Sequence, residues 1–391
     1  MARLYSIGYE HNSNTTEGQD FQNASTTTTS PIRSGTYSFQ SNAAQEECRL
    51  NFNGGSDAST NHFFRIYVRF TTLAAGLYTF FQVIGGGAAL TKVSLRINGV
   101  ARTLELWNDE DTVQVGSDSS ALTLDTWYRI ELNVDSTTIA STALDARIDG
   151  VSFASGTVNL DTGMRAFTFG DPANNVAHNY QFDDVAVNNS SGSFQNSYPG
   201  EGEIIHLRPN AVGDTDAWDA LTTFEDIDEV TPDDATTLIS SLTAEDTHEV
   251  NIDATPAALA SDDTVNVVQV GVRFNESVGT DPDPIFVLRI KASAGGTTEE
   301  SASITANATV WNTNATANPR NYQLTLYDLP GASTTPWTKT DLDATQIGVR
   351  LTNSPVGLAQ VSTMWLLVDH KPAAAATAAA VGYRNLLGVG I

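Results

Sequence analysis

Apolar and polar residues alternate with a period of two along most of this chain. The clearest stretch runs from Thr126 to Asn189, as TWYRIELNVD, ALDARIDGVSFASG, MRAFTFGD and YQFDDVAVNN. Asp, Gly or Asn punctuates most of the block ends, which is the pattern of half-buried antiparallel strands joined by turns. Asp149–Gly150 suits a type I′ hairpin, where both central residues take a positive φ. Strand-like runs precede this stretch at 3–9, 34–40, 63–73, 78–84, 92–98 and 103–107. Residues 12–31 are rich in Thr, Ser and Asn, and within them Thr26–Ser30 reads as low-complexity loop or extended edge; Gly85–Gly87 reads as a turn.

After residue 189 the pattern breaks. Ser190–Gly202 is small and polar and contains Pro199 and Gly200, the composition of a linker. Alternation then resumes at 203–208, 264–274, 285–291, 303–307, 322–327, 346–351 and 362–370. Only 233–241 has a helical cast, and a weak one. The expected fold is all-β: a sandwich over 1–189, a linker over 190–202, a second β-sandwich over 203–372 and a tail over 373–391. The tail is Ala-rich and then apolar. Tyr383, Leu386, Leu387, Val389 and Ile391 are read there as a docking peptide for a neighbouring subunit, against the alternative of a tail folded back on its own domain.

Two resemblances add to this reading. Trp127 opening a strand, the Asp149–Gly150 hairpin two strands later and the closing FDDVAV strand resemble the laminin-G-like, or concanavalin-A-like, jelly roll. That resemblance covers about the first half of the chain. It implies a two-sheet sandwich that usually binds glycans or proteins and in some families cuts them. In the second half, LRPNAVGDTDAWDAL (207–221) and PWTKTDLDATQIGVRL (336–351) resemble a domain of tailed-phage virion proteins. There a W-T-x-x-D-L turn leads into an I-G-V strand.

The composition narrows the partners. The chain has 391 residues, long enough for two full-size domains, and 46 acidic against 20 basic residues give a formal charge of −26. Each phosphate contact needs a cation, so nucleic-acid binding is not expected. The single cysteine, Cys48, excludes an internal disulfide and shares a strand face with Leu50, as a buried structural thiol would. MARLYSIGYE has no basic or apolar leader, and no apolar run approaches the length of a membrane span. The expected place is therefore a virion assembled in the host cytoplasm, with no membrane insertion.

Candidate chemistry is sparse. The paired-carboxylate strand pattern of jelly-roll glucanases is missing, and Glu105, Asp109, Glu110 and Asp111 read as a strand end running into a solvated turn. None of the six histidines lies in a nucleophile or zinc motif. Calcium is the best cofactor candidate, since the jelly-roll resemblance implies a loop-rim Ca²⁺ site. Asp171, Asn174 and Asn175 offer hard oxygens before the last strand, with Asp184 as a further ligand; turn formation explains the same residues. Period two places Asp183 and Asp184 on opposite faces, so only one of them can reach that loop. Trp107 reads either as core or as a glycan-stacking platform, and Trp127 as core. The acidic stretch 225–234 reads as a solvated loop.

These readings lead to the expectation of a non-enzymatic bacteriophage structural protein, a head decoration or compact appendage able to adhere to surface glycans. Its partners would be other virion proteins and itself, in a symmetric oligomer. The alternatives are a minor tail or receptor-binding protein and, from another class, a carbohydrate-active enzyme or free lectin.

Overall fold

The computed structural model describes residues 3–12, 20–22, 26–51, 57–86, 90–172, 178–218, 224–234, 236–279, 281–306, 311, 322–325, 329–330 and 335–373. Tyr383, Leu386, Leu387, Val389 and Ile391, expected to form a docking peptide, lie outside these, as do Asn174 and Asn175.

Among the described residues of the first half, the regular elements are strands and one short turn of 3₁₀ helix. In chain order these are β1 (Arg3–Ile7), β2 (Asp20–Gln22), β3 (Thr26–Thr28), β4 (Ser38–Ser41) and β5 (Glu47–Asn51). Then come β6 (Asn61–Thr72), β7 (Leu77–Gly85), β8 (Leu90–Asn98), β9 (Leu104–Asn108) and β10 (Val113–Val115). The last five are β11 (Trp127–Asp135), β12 (Thr142–Ile148), β13 (Val151–Val158), β14 (Met164–Gly170) and β15 (Asn179–Asn189). They form two antiparallel sheets. One has the order β13-β12-β11-β6-β15-β4-β3, with β1 also on β15; the other runs β10-β9-β8-β7-β14-β5-β2.

Alternation explains how the two sheets meet. Phe64, Ile66, Val68 and Phe70 of β6, with Ile130, Leu132 and Val134 of β11, point inward from the first sheet. Cys48, Leu50, Val93, Leu95, Ile97, Leu104, Leu106, Phe167 and Phe169 answer from the second. Rings bridge the layers: Phe64 to Phe167 at 5.0 Å and Phe169 to Phe182 at 5.3 Å between centroids. Each buried ring contributes about 1.5–3 kcal/mol. Asp149 and Gly150 take φ of 52° and 86°, the two positive values of the expected type I′ turn. Trp127 departs from expectation. Ile130 and the partly core-packed Tyr128 share the inward side, which puts Trp127 on the opposite face of its strand.

The second half builds another sandwich. Its strands are β16 (Glu203–Leu207), β17 (Pro209–Asp216), β18 (Ile239–Ser241), β19 (Thr247–Ile252), β20 (Thr264–Glu276) and β21 (Ile285–Lys291). After these come β22 (Glu299–Glu300), β23 (Ile304–Thr305), β24 (Tyr322–Thr325), β25 (Gln346–Leu351) and β26 (Ala359–Lys371). One sheet is β16-β26-β20-β24 with β18 on β26; the other is β17-β19-β25-β21-β22 with β23 on β21. The single α-helix among the described residues is α1 (Lys339–Asp343), within the 336–351 segment where a turn was expected. Thr338 and Asp341 close a capping box there. Around 233–241 no helix forms among the described residues, and Ile239–Ser241 pairs instead with Ala359–Val361.

β26 is buried on both faces, which is why WLLV reads as a continuous apolar run. Met364, Leu366 and Val368 enter the second core, while Trp365 and Leu367 join Ile204 in a separate cluster. Ile204 lies against Gly8, where an added Cβ would meet its Cγ2 at 2.9 Å. Beside this patch Asp369 accepts from Arg3 at 2.6 Å and from Arg65 at 3.2 Å, all three fully buried. The 190–202 segment is tied into the same contact. Tyr198 packs on Phe63 and donates to the Asp145 carboxylate at 2.8 Å, and Gly200 N–H donates to Glu131 at 2.9 Å.

Candidate functional site

The contacts between the two sandwiches run through the first sheet, the 8–12 turn and the Arg33–Ser34 loop. Among the described residues, the outer face of the second sheet takes no part in these hydrogen bonds. Because β5, β7, β8, β9, β10 and β14 alternate, their non-core residues form a transverse polar row on that face. In register the row reads Arg49, Thr168, Gln82, Ser94, Trp107 and Gln114. At about 4.8 Å per strand, Arg49 and Trp107 stand roughly 19 Å apart across four strand spacings.

Trp107 is half-buried and held from several sides. Its Nε1–H donates to Glu105 Oε2 at 2.9 Å, and the Arg96 guanidinium lies 4.3 Å from the ring centroid. Arg96 in turn donates to Asp109 Oδ1 at 2.5 Å and to Ser94 Oγ at 3.2 Å. The indole therefore has a fixed orientation before any ligand arrives. Gln82 accepts from Thr91 at 2.7 Å, and Gln114 donates to Asp118 at 2.6 Å. Trp107 lies on the outer side of β9, since Leu104 and Leu106 are the residues of that strand that enter the core.

Toward the other end of β8, Lys92 faces outward and donates to both oxygens of Glu110, at 2.8 and 2.6 Å. Asp161 adjoins the pair, its N–H donating to Glu110 Oε2 at 3.4 Å. Burial works to raise the Glu110 carboxyl, but hydrogen bonds from Lys92 and Asp161 outweigh it and hold the group below its ordinary value. The hydrogen bond and charge of Glu110 push Asp161 the opposite way. Glu105 thus lies in β9 and Asp109–Asp111 in the turn that follows it, a strand end running into a turn as expected, but the turn is networked in place of merely solvated. Asp109 has Arg96, Glu110 has Lys92, and Asp111 accepts from Asn108 at 2.7 Å.

The proposed calcium ligands do not converge among the described residues. Asp171 is buried at the end of β14, where its N–H donates to Glu46 O and its carboxylate sits 3.8 Å from His178. Asp184 lies in the contact between sandwiches, taking Arg33, Ser34 Oγ at 2.7 Å and Ile204 N–H at 2.6 Å. The expectation that Asp183 and Asp184 face opposite ways is also corrected. A bulge between Asp183 and Ala186, with Asp184 at φ 48°, breaks the alternation. Both carboxylates meet the Arg33–Ser34 segment, and burial beside Asp184 raises the Asp183 carboxyl well above its usual range. No three acidic, histidine or cysteine side chains among the described residues are placed to share a metal ion.

In the 225–234 stretch, Asp234 is paired with Arg273 at 2.7 Å, and Arg208 donates to Glu229 O at 2.6 Å. Arg49, Gln82, Ser94, Arg96 and Thr168 were missed in the sequence. Their local signal was present, as the alternate polar positions of ECRLN, TKVSLR and FTF, but the row exists only across strands.

No family model matches the chain, and no curated protein matches it. Solved structures do. An endo-β-1,4-glucuronan lyase from the fungus Trichoderma reesei aligns at 13% identity over 48% of this chain and 95% of that one, with a TM-score of 0.37. Trypanosoma rangeli sialidase in complex with sialic acid aligns at 10% identity over 44% and 30%, with a TM-score of 0.33. An alginate lyase aligns at 10% identity over 39% and 74%, with a TM-score of 0.30. These are carbohydrate-active enzymes, and none is a virion protein. The expectation of a non-enzymatic bacteriophage structural protein is corrected accordingly.

Proposed function

We propose that this chain engages a carbohydrate polymer along the outer face of the β7–β8–β9 sheet. The observation that carries the reading is Trp107: a half-buried indole, pre-oriented by Glu105 and Arg96, within a row of hydrogen-bonding side chains. A pyranose ring presents a C–H face to an indole and hydroxyls to neighbouring amide and hydroxyl groups. Gln82 and Gln114, both partly exposed, supply those groups in the same register row on either side of it. Fixed aromatic anchors also reduce the ordering cost of binding.

The test is binding of a panel of soluble polysaccharides by affinity electrophoresis and calorimetry. At least one polymer should bind, and Trp107→Ala should weaken it about tenfold or more, equivalent to about 1.4 kcal/mol. Unchanged binding by the folded variant, or no binding to any polymer, sinks the reading.

A second reading, turnover of the bound glycan, is favoured by Glu110 and Asp161. Carboxyls in contact whose proton affinities are pushed apart are suited to act as base and acid. A contact pair is closer than either glycosidase spacing, so its chemistry would be proton transfer at one point instead of attack from two sides. Release of new chain ends from the bound polymer, abolished in Glu110→Gln, is the expected result. Retention of full activity by that variant removes the pair from the mechanism.

A further inference from the structure

In a chain of charge −26, most cations should have carboxylate partners, and most do. Among the described residues, Arg49, Arg102 and Arg165 are the exceptions, with neither an ion pair nor a side-chain hydrogen bond. Two of the three lie on adjacent strands of the candidate face's own sheet. Arg49 projects from the outer side of β5, between the core residues Cys48 and Leu50. Its register partner on β14 is Thr168, which is fully buried and whose Oγ1 has no hydrogen-bond partner. Gln82 flanks Thr168 on the other side. Arg165 is three residues before Thr168 on the same strand, about 10 Å along it. The Nε atoms of both arginines are shielded from water and unpartnered.

An unpaired, partly desolvated guanidinium beside an unsatisfied hydroxyl is costly unless a ligand completes it. We propose that Arg49, with Thr168 beneath it, forms a subsite for the carboxylate or sulfate group of an acidic glycan lying along this face. The inference rests on the reading of that face as a glycan site, and it names the substrate class. A guanidinium matches an oxyanion through two parallel N–H donors, which a neutral hydroxyl cannot reciprocate. Asp20 stands opposite Arg49 on its other side in the strand register. The overall negative charge opposes acidic ligands at long range, but at 0.15 M salt that field decays over about 8 Å, so contact terms decide.

The experiment compares polygalacturonate with its methyl ester, and κ-carrageenan with agarose, on the full chain at 0.15 M salt. These pairs separate the carboxylate source of the anion from the sulfate source. At least one acidic polymer should bind tenfold or more tightly than its neutral counterpart. Arg49→Gln should erase that difference, and Arg49→Lys should restore part of it. Thermal melting of each variant establishes that it is folded. Equal binding of acidic and neutral polymers, both lost in Trp107→Ala, overturns the anion subsite and leaves the glycan face standing. An acid preference that persists undiminished in Arg49→Gln overturns the assignment to Arg49. Absence of binding to all four and to the wider panel defeats the glycan reading itself.

Discussion

At the scale of single residues, buried histidines held neutral make the molecule sensitive to acid. His62 is 3% exposed beside Phe64, and burial lowers its pKa to about 4. An unfolded chain would take up that proton near pH 6.5. Between pH 6.5 and 4 the unfolded state therefore binds more protons, and stability falls as pH falls. The loss from His62 alone approaches about 3 kcal/mol at the lower end of the window. Burial depresses His11, His178 and His248 too, so their contributions have the same sign. His62→Gln should lose less stability than the parent between pH 7 and pH 4.5, by about 2–3 kcal/mol, in urea titrations at the two values. Equal losses in the two proteins would locate the acid lability elsewhere. Space acts as sharply as charge. Gly271 sits in register with the fully buried Trp365, and a Cβ there would fall 2.0 Å from the indole Cε2. Gly271→Ala should cost about 1–3 kcal/mol by overpacking, read as a lower denaturation midpoint.

At the scale of elements, strand existence was legible because period-two runs are long here, and the Asp–Gly pair fixed one hairpin. What escaped was local and short. α1 has five residues, too few to show a helical period, and its only clear mark is Thr338 with Asp341 three positions on. The bulge at Asp183–Asp184 left no trace in an otherwise regular alternation. Trp127 was misplaced by one position, since its neighbour Tyr128 carries the inward side. The candidate face was half legible. Trp107 stood out as an aromatic, whereas Arg49 and Thr168 are separated by more than a hundred residues and meet only through pairing. The capping box gives a direct check. Thr338 Oγ1 accepts from Asp341 N–H at 3.2 Å, and Asp341 Oδ2 accepts from Thr338 N–H at 2.9 Å. Thr338→Ala should cost about 1 kcal/mol, and Leu342→Ala, which empties the helix's buried position in the second core, about 2–5 kcal/mol. A larger loss for the cap than for the leucine would mean that α1 does not anchor through packing.

At the scale of the whole molecule, the two sandwiches are joined by polar groups that have been removed from water. Arg3 and Arg65 both reach Asp369, and neither side has solvent to compensate a missing partner. The two guanidiniums outweigh the cost of burial and hold the Asp369 carboxyl below its usual range. Arg3 is further satisfied by Asn188 at 2.6 Å and Gln195 at 3.1 Å, which draws the 190–202 segment into the same knot. A buried pair of this kind is a weak source of net stability, yet breaking it is expensive because the remaining charge stays buried. Asp369→Asn keeps the shape and removes the charge, leaving two cations in contact with a neutral amide. The expected loss is about 3–5 kcal/mol. It should fall on the junction, so that one calorimetric transition in the parent divides into two in the variant, with proteolysis newly admitted between residues 190 and 202. Glycan binding at Trp107 should survive in the variant below its first transition, because the candidate face lies on the other sheet from Arg3 and Arg65. A single transition with unchanged midpoint would mean that the apolar patch of Ile204, Trp365 and Leu367 holds the halves together without the charges.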